Sequence, residues 1–442
     1  MFFFALAAAG MLTACSNDDT LSGNGEPTTA EQQIRLGVAS SKVQTRGTGT
    51  VGGMTDTDNK WAGQTLWVYM LQKGTMNLAY YKTPTVGNVV TPDAKVFDNK
   101  EFKAPADNST GLATTADGTI AYYPVSGQYD FWGYRVDDAV TLVDDGTGAM
   151  VPGVKTVNDT DVEVGEDEAT KRVVDIEIDG SQDIMAGKAA LSDANVEALG
   201  DYADNYYSAY AARKGVQPNI TFNHLLTRFT FEVRAGSKAT AGAGASAHTE
   251  AVRVKGISVE SKTKGKLTVA YTGEAKTADQ LLTFTDDPAV ALSLKQRDEH
   301  AASNNDLLVD LEEVSLTWPA GGEATVGDVI PVGEALLVAP GQTEYPLTIA
   351  LAQKVLANVN DADKTDKPLE QKATIKMDGV KKFEAGKSYK VTITVYGLEE
   401  IEVTATLVPW ADGGSIDIDD DRNPNEGKYT EPTPATPEPI EP

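Results

Sequence analysis

The chain has 442 residues, 41% of them hydrophobic, with one cysteine and a formal net charge of −27 at pH 7. That is enough chain for about two to three domains with cores of their own. A lone cysteine excludes a disulfide within the chain, and the acidic balance excludes electrostatic binding to nucleic acid or to an anionic membrane surface.

The first predicted element is the apolar run FFFALAAAGMLTAC, which has signal-peptide length and is too short for a comfortable membrane span. Its last four residues, Leu12-Thr13-Ala14-Cys15, resemble the lipobox of bacterial lipoproteins. In such proteins the signal, here residues 1–14, is removed before the cysteine, and the cysteine carries the lipid. No basic residue precedes the run, so a translation start further upstream is expected. Ser16-Asn17-Asp18-Asp19 resembles the acidic stretch that follows the cysteine in surface-exported lipoproteins of Bacteroidetes. Contact with a membrane is therefore expected only through the lipid on Cys15.

Apolar residues then alternate at Ile34, Leu36 and Val38, the period-2 pattern of a strand with one buried face. The segment stops at Lys42 and Arg46, followed by Gly47 and a Gly/Thr-rich linker open to a protease. LWVYML (66–71) is the next strand, and AYYPVSGQYDFWGY (121–134) reads as a hairpin about Pro124 to Gly127. In RVVDIEIDG, Val174, Ile176 and Ile178 point inward against Asp175 and Glu177. A single helix is predicted over 192–213, with Val196, Leu199, Ala203, Tyr206 and Tyr210 on one face. Ser192 or Asp193 caps its start, and KGVQP ends it.

NITFNHLLTRFTFEVRA (219–235) changes phase. Ile220 and Phe222 share one parity, and Phe229, Phe231 and Val233 the other. A bulge near His224 and Leu225, or a strand handed from one sheet to another, would do this. The flexible stretch GSKATAGAGASAH (236–248) is the expected domain boundary. Gly242, Gly244 and Ala247 in it nominally fit a dinucleotide fingerprint, but a strand follows, so no helix N-terminus would meet a phosphate. The second half repeats the strand pattern in AVRVKGISVE, GKLTVAYTG, PLTIALAQ, ATIKM, KSYKVTITVYGL and IEVTATLVPW. Strands at this spacing, with few helices, predict an all-β chain of antiparallel sandwiches. The last thirteen residues hold five prolines and predict an extended acidic tail.

No catalytic constellation emerges. The three histidines, His224, His248 and His300, have no ligand-like spacing, and Cys15 is used by the lipid. Asp417, Asp419, Asp420 and Asp421 begin like a calcium loop but lack the glycine after Asp421, and Lys428 stands where the bidentate glutamate belongs. The expectation is a protein that is not an enzyme, without cofactor or metal.

Taken in order, the lipobox, the strand ending in QTRGTG, YYPVSGQYDFWGY, ITFNHLLTRFTFEV and FEAGKSYKVTITV with IEVTATLVPWADGGSIDI resemble the fimbrillins of Bacteroidetes, subunits of lipoprotein-derived pili. The resemblance runs from the lipobox to about Asp421. It implies two tandem transthyretin-like β-sandwiches, here 47–235 and 249–421, between a lipidated propeptide (15–46) and a tail (422–442). It also implies cleavage between Arg46 and Gly47 by an arginine-specific or trypsin-like protease. The strand carrying Ile34, Leu36 and Val38 would leave with the lipid, and a neighbouring subunit would refill its groove. In the C-terminal region beyond Trp410, expected to be free to move, Ile416 and Ile418 share a face, which makes 411–425 the candidate donor if the chain is a stalk subunit; in a tip subunit the segment is expected to stay disordered. The implied partners are other pilus subunits, the protease and a host surface ligand; the implied location is an outer-membrane lipoprotein precursor and then a cell-surface fimbrium. The alternative is a monomeric surface lipoprotein that binds glycans through Tyr122, Tyr123, Trp132 and Tyr134.

Overall fold

The structure is a computed structural model of the chain and describes residues 32–40, 65–81, 94–103, 114–136, 142–144, 150–152, 157–164, 169–201, 207–236, 243–285, 288–297, 308–318, 327–358, 363–377, 379, 382–408 and 415–416. The first half supplies β1 (Gly37–Ser40), β2 (Thr65–Gln72), β3 (Tyr80–Tyr81), β4 (Ala94–Lys95), β5 (Lys100–Lys103), β6 (Thr114–Thr115) and β7 (Tyr129–Val136). It continues with β8 (Leu142–Asp144), β9 (Met150–Pro152), β10 (Val157–Val164), β11 (Ala169–Glu177), β12 (Ile184–Lys188), α1 (Asp193–Leu199), α2 (Ala209–Arg213) and β13 (Asn219–His224). Then come β14 (Thr227–Ala235), β15 (Arg253–Ser261), β16 (Lys264–Tyr271), α3 (Ala278–Leu281), β17 (Leu282–Phe284), β18 (Val290–Ser293), β19 (Lys295–Arg297), β20 (Leu308–Asp310) and β21 (Val314–Ser315). The chain closes with β22 (Ile330–Val338), β23 (Tyr345–Leu356), β24 (Lys364–Ile375), β25 (Ser388–Val395), β26 (Ile401–Val408) and β27 (Ser415–Ile416). The fold is all-β, as the alternation predicts.

Two sandwiches result. The first is built on an eight-stranded sheet in the order β27-β1-β13-β12-β7-β2-β5-β6. Every residue of β7 is buried because both faces of this sheet are covered. On one face Val68, Met70, Phe131, Ile220 and Phe222 pack with Leu199 and Ala211 of the helical segment. On the other, Tyr69, Trp132, Tyr134 and Ile184 meet Val174, Ile176, Leu267 and Val269 of a second sheet, β10-β11-β16-β17. The second sandwich sets β22-β14-β25-β26 against β18-β15-β23-β24 around Phe229, Tyr345, Ile349, Phe383 and Val391. Two pairings are parallel, β1 with β13 and β14 with β25, each joined by a long excursion of chain.

The single helix and the hairpin are corrected, and the phase change takes the second of its two expected forms. The phase change at His224 and Leu225 is a hand-over: β13 ends in the first sheet and β14 opens in the second sandwich, between β22 and β25. Sheet membership therefore changes at residues 225–226, upstream of 236–248, and Ala243 is already core of the second sandwich. Conversely β16, from the 249–421 half, pairs with β11 of the first, and β17 pairs with β16. Alternation reports which side of a strand is buried and not which strand lies beside it.

The single helix expected over 192–213 is two short ones. Ser192 caps α1 through a capping box with Asn195, and Gly200, at φ 55, ends it in a conformation that L side chains disfavour. Ser208 starts α2 with its own cap. Tyr207 lies in the core bridged to Tyr129, and Val196 is exposed; Ala203 and Tyr206 lie outside the described residues. The hairpin expected over 121–134 does not form either. Both edges of β7 are taken, by β2 and β12, so residues 121–123 pair elsewhere.

Candidate functional site: a strand held in a slot

Residues 32–40 run through the first sheet as an internal strand. On one side Ile34 N–H donates to the Ala121 carbonyl at 2.8 Å and Tyr123 N–H to the Gln32 carbonyl at 2.7 Å. The Tyr81 hydroxyl braces that wall, donating to the Tyr122 carbonyl and accepting its N–H, both at 2.7 Å. Further along the same side, Val38 and Ala39 pair antiparallel with Ile416 and Ser415. On the other side Gly37 N–H donates to the Pro218 carbonyl at 3.0 Å, and residues 37–40 run parallel to 219–222.

The alternation predicted for this segment is its packing. Ile34, Leu36 and Val38 retain 8%, 1% and 0% of their exposure and join the core with Tyr123, Phe131 and Phe222. Gln33 is exposed and Arg35 half-buried. One contact has no counterpart in the sequence reading. The Gln217 side chain accepts from Arg35 N–H through Oε1 and donates to the Gln33 carbonyl through Nε2, each at 3.1 Å. Its cue was its place in KGVQP, where the helix end meets a proline.

Cys15, Lys42, Arg46, Gly47, Ile418, His300, the acidic cluster 417–421 and the tail 422–442 lie outside the described residues. Of the aromatic residues weighed for glycan binding, Tyr123, Trp132 and Tyr134 are buried. Trp132 packs on Tyr271 with ring centroids 4.8 Å apart, and Tyr134 stacks on Trp67 at 5.5 Å. They fill cores and present no open platform.

His224 meets Asp183 through Nδ1 and Oδ2 at 2.5 Å, both buried where the sandwiches join. Beside them buried Arg228 donates to Ser388 Oγ at 2.7 Å. Burial lowers the pKa of this guanidinium, against the opposing pull of Asp183 and Glu334. Backbone bonds from Gly386 N–H to Leu226, Arg228 N–H to Lys387, Leu225 N–H to Ile184 and Leu337 N–H to Gly180 stitch the same junction. Among the described residues no group of three or more His, Cys, Asp or Glu is placed to hold a metal ion, and no helix is long and apolar enough to cross a membrane.

No protein-family model matches the chain, and no curated protein matches it. Among solved structures it is similar to a fimbrial protein from Bacteroides vulgatus, with 13% identity and a TM-score of 0.41 over 86% of this chain and 99% of that one. It is similar to a proposed cell adhesion protein from Bacteroides uniformis, with 16% identity and a TM-score of 0.37 over 87% of this chain and 100% of that one. A third is the fimbrial anchor protein Mfa2 from Porphyromonas gingivalis, with 10% identity and a TM-score of 0.27 over 86% of this chain and 100% of that one. At such identities none of them assigns a role to an individual residue here.

Proposed function

We propose that this chain is a fimbrillin-type structural subunit of a pilus, without enzymatic activity, whose N-terminal strand is a removable part. The observation that carries the proposal is the placement of residues 32–40. They are internal to a sheet, apolar on one face and hydrogen-bonded along both edges, yet they precede the linker that contains Arg46. A strand so placed can leave only if another extended segment takes over its core contacts and its backbone bonds. An empty slot would expose Phe222, Tyr123 and two unpaired edges. That requirement is what makes assembly by strand exchange productive, since a neighbour's strand satisfies both.

In this reading Cys15 carries the lipid of an outer-membrane precursor, a protease cuts between Arg46 and Gly47, and the subunit passes into a surface fimbrium that serves adhesion. Residues 411–425 are the candidate donor, with Ile416 and Ile418 as its apolar anchors. Ser415 and Ile416 lie beside β1 in the subunit's own sheet, so donation requires them to leave that edge for the slot of a neighbour. The test is N-terminal sequencing of subunits from sheared pili, expected to begin at Gly47. Ends at Cys15 or Ser16 in every subunit would refute it.

A further inference from the structure

In a parallel ladder each rung is made by one residue that donates its N–H to one carbonyl of the neighbour and accepts the N–H two residues further on. The main chain flanking the start of the 32–40 strand lacks the means to make that rung. Val216 N–H is committed to the Ala211 carbonyl at the end of α2, at 2.9 Å, and Pro218 has no N–H. The Gln217 amide makes both bonds instead, to Gln33 and Arg35, and the backbone ladder resumes at the Pro218 carbonyl and Gly37. A primary amide has the same donor and acceptor as a peptide unit, so it replaces one rung in full.

We infer that Gln217 is a backbone clamp, blind to side-chain sequence, that fixes which edge of the filling segment faces this wall, and hence which side-chain parity faces the core, an incoming strand included. The inference rests on the proposed refilling of the slot. Both bonds go to main-chain atoms, and the residues clamped, Gln33 and Arg35, keep their side chains off the core face. Discrimination among strands falls to the three inward positions, now held by Ile34, Leu36 and Val38. An acceptable strand carries apolar residues at these alternate positions and anything but proline at the position of Arg35, where the N–H is needed. Gln217 is a positioning residue: it selects no partner, but it holds the strand with the carbonyl of position 33 and the N–H of position 35 turned to this wall and so opposes a slip by one residue, while a slip by two is opposed only by the fit of the three inward side chains.

Amide exchange in the intact chain tests the clamp without reference to cleavage. In Gln217→Met the Arg35 amide is expected to exchange about tenfold faster, with the Gly37 and Met70 amides unchanged; an unaltered Arg35 rate, or equal acceleration at all three, overturns the clamp. The second arm uses chain cut between residues 46 and 47 and a labelled peptide of residues 32–40, with or without an ester in place of the Ile34–Arg35 amide. The ester, which removes the N–H, is expected to weaken binding about fivefold to the wild type and not at all to Gln217→Met. Alanine at positions 33 and 35 of the peptide is expected to leave binding within about twofold, whereas a tenfold loss overturns sequence blindness. Equal ester penalties in both proteins overturn the clamp. Failure of every peptide to enter overturns the refilling of the slot and reduces Gln217 to a brace for the chain's own strand, a state in which the Arg35 amide still responds.

Discussion

Leu36 and Val38, at 1% and 0% exposure, and Ile34 at 8% show how much the first sandwich depends on a segment that precedes the Arg46 linker. At about 1.5–3 kcal/mol for each buried side chain, the three contribute roughly 5–9 kcal/mol before ordering costs, comparable to the whole stability of a domain. Leu36→Ala is therefore expected to lower the stability of the intact chain by about 2–4 kcal/mol, read as a shift of the urea midpoint at unchanged slope. A second residue-scale expectation concerns alkali. Burial raises the phenol pKa of Tyr345 and of Tyr123 above the usual 10.0, so above pH 10 the unfolded chain loses protons that the folded chain keeps. Stability is then fully present below pH 10 and falls as pH rises toward the folded values. Arg228, with its pKa lowered by burial, has the opposite sign at high pH. Replacing each tyrosine in turn isolates its share: denaturant midpoints of Tyr345→Phe and Tyr123→Phe between pH 8 and pH 11 are expected to fall less than those of the wild type.

At the scale of elements, the slot is two walls of different make. One is β13, a full strand in register with β1; the other is a patchwork of residues 121–123 and the short β27. The described pairing of β27 with β1 comprises two residues on each strand. Deleting residues 411–442 is expected to change the stability of the uncut chain by less than about 1 kcal/mol and to abolish polymer ladders on gels run without denaturant. Ladders that persist would place the donor in another segment. Arg46→Ala is expected to give a folded, membrane-associated monomer with no ladders, and Cys15→Ser to lose membrane association with its signal attached. The two variants separate assembly from anchoring.

At the scale of the molecule, the sandwiches are not beads on a string. β14 leaves the first sheet's neighbourhood directly after His224, β16 and β17 return to cover the first sandwich, and buried polar groups lie at the crossing. Gly386 closes the joint at φ 69, where an added Cβ would lie 2.9 Å from the His224 carbonyl oxygen. Gly386→Ala is expected to cost about 1–3 kcal/mol and to split one calorimetric unfolding transition into two as the sandwiches uncouple.

The sequence by itself determined the class of fold and the inner face of strands such as β11 and β25. Alternation is a local property, and Val174, Ile176, Ile178, Tyr389, Val391 and Ile393 are all buried as their parity requires. It also marked the crossing, since the phase change in ITFNHLLTRFTF is where one sheet ends and the other begins. Composition put the expected boundary at the Gly/Ala-rich stretch and says nothing about which strands pair; the pairing changes sheets at 225–226. Only the tertiary structure decided that residues 121–123 turn from β7 to the N-terminal strand, that α1 and α2 are separate, and that Gln217 supplies a missing rung. The first and last depend on which hydrogen-bonding edges remain free once the rest of the sheet is in place, and pairing between segments far apart in the chain leaves no periodic trace in it.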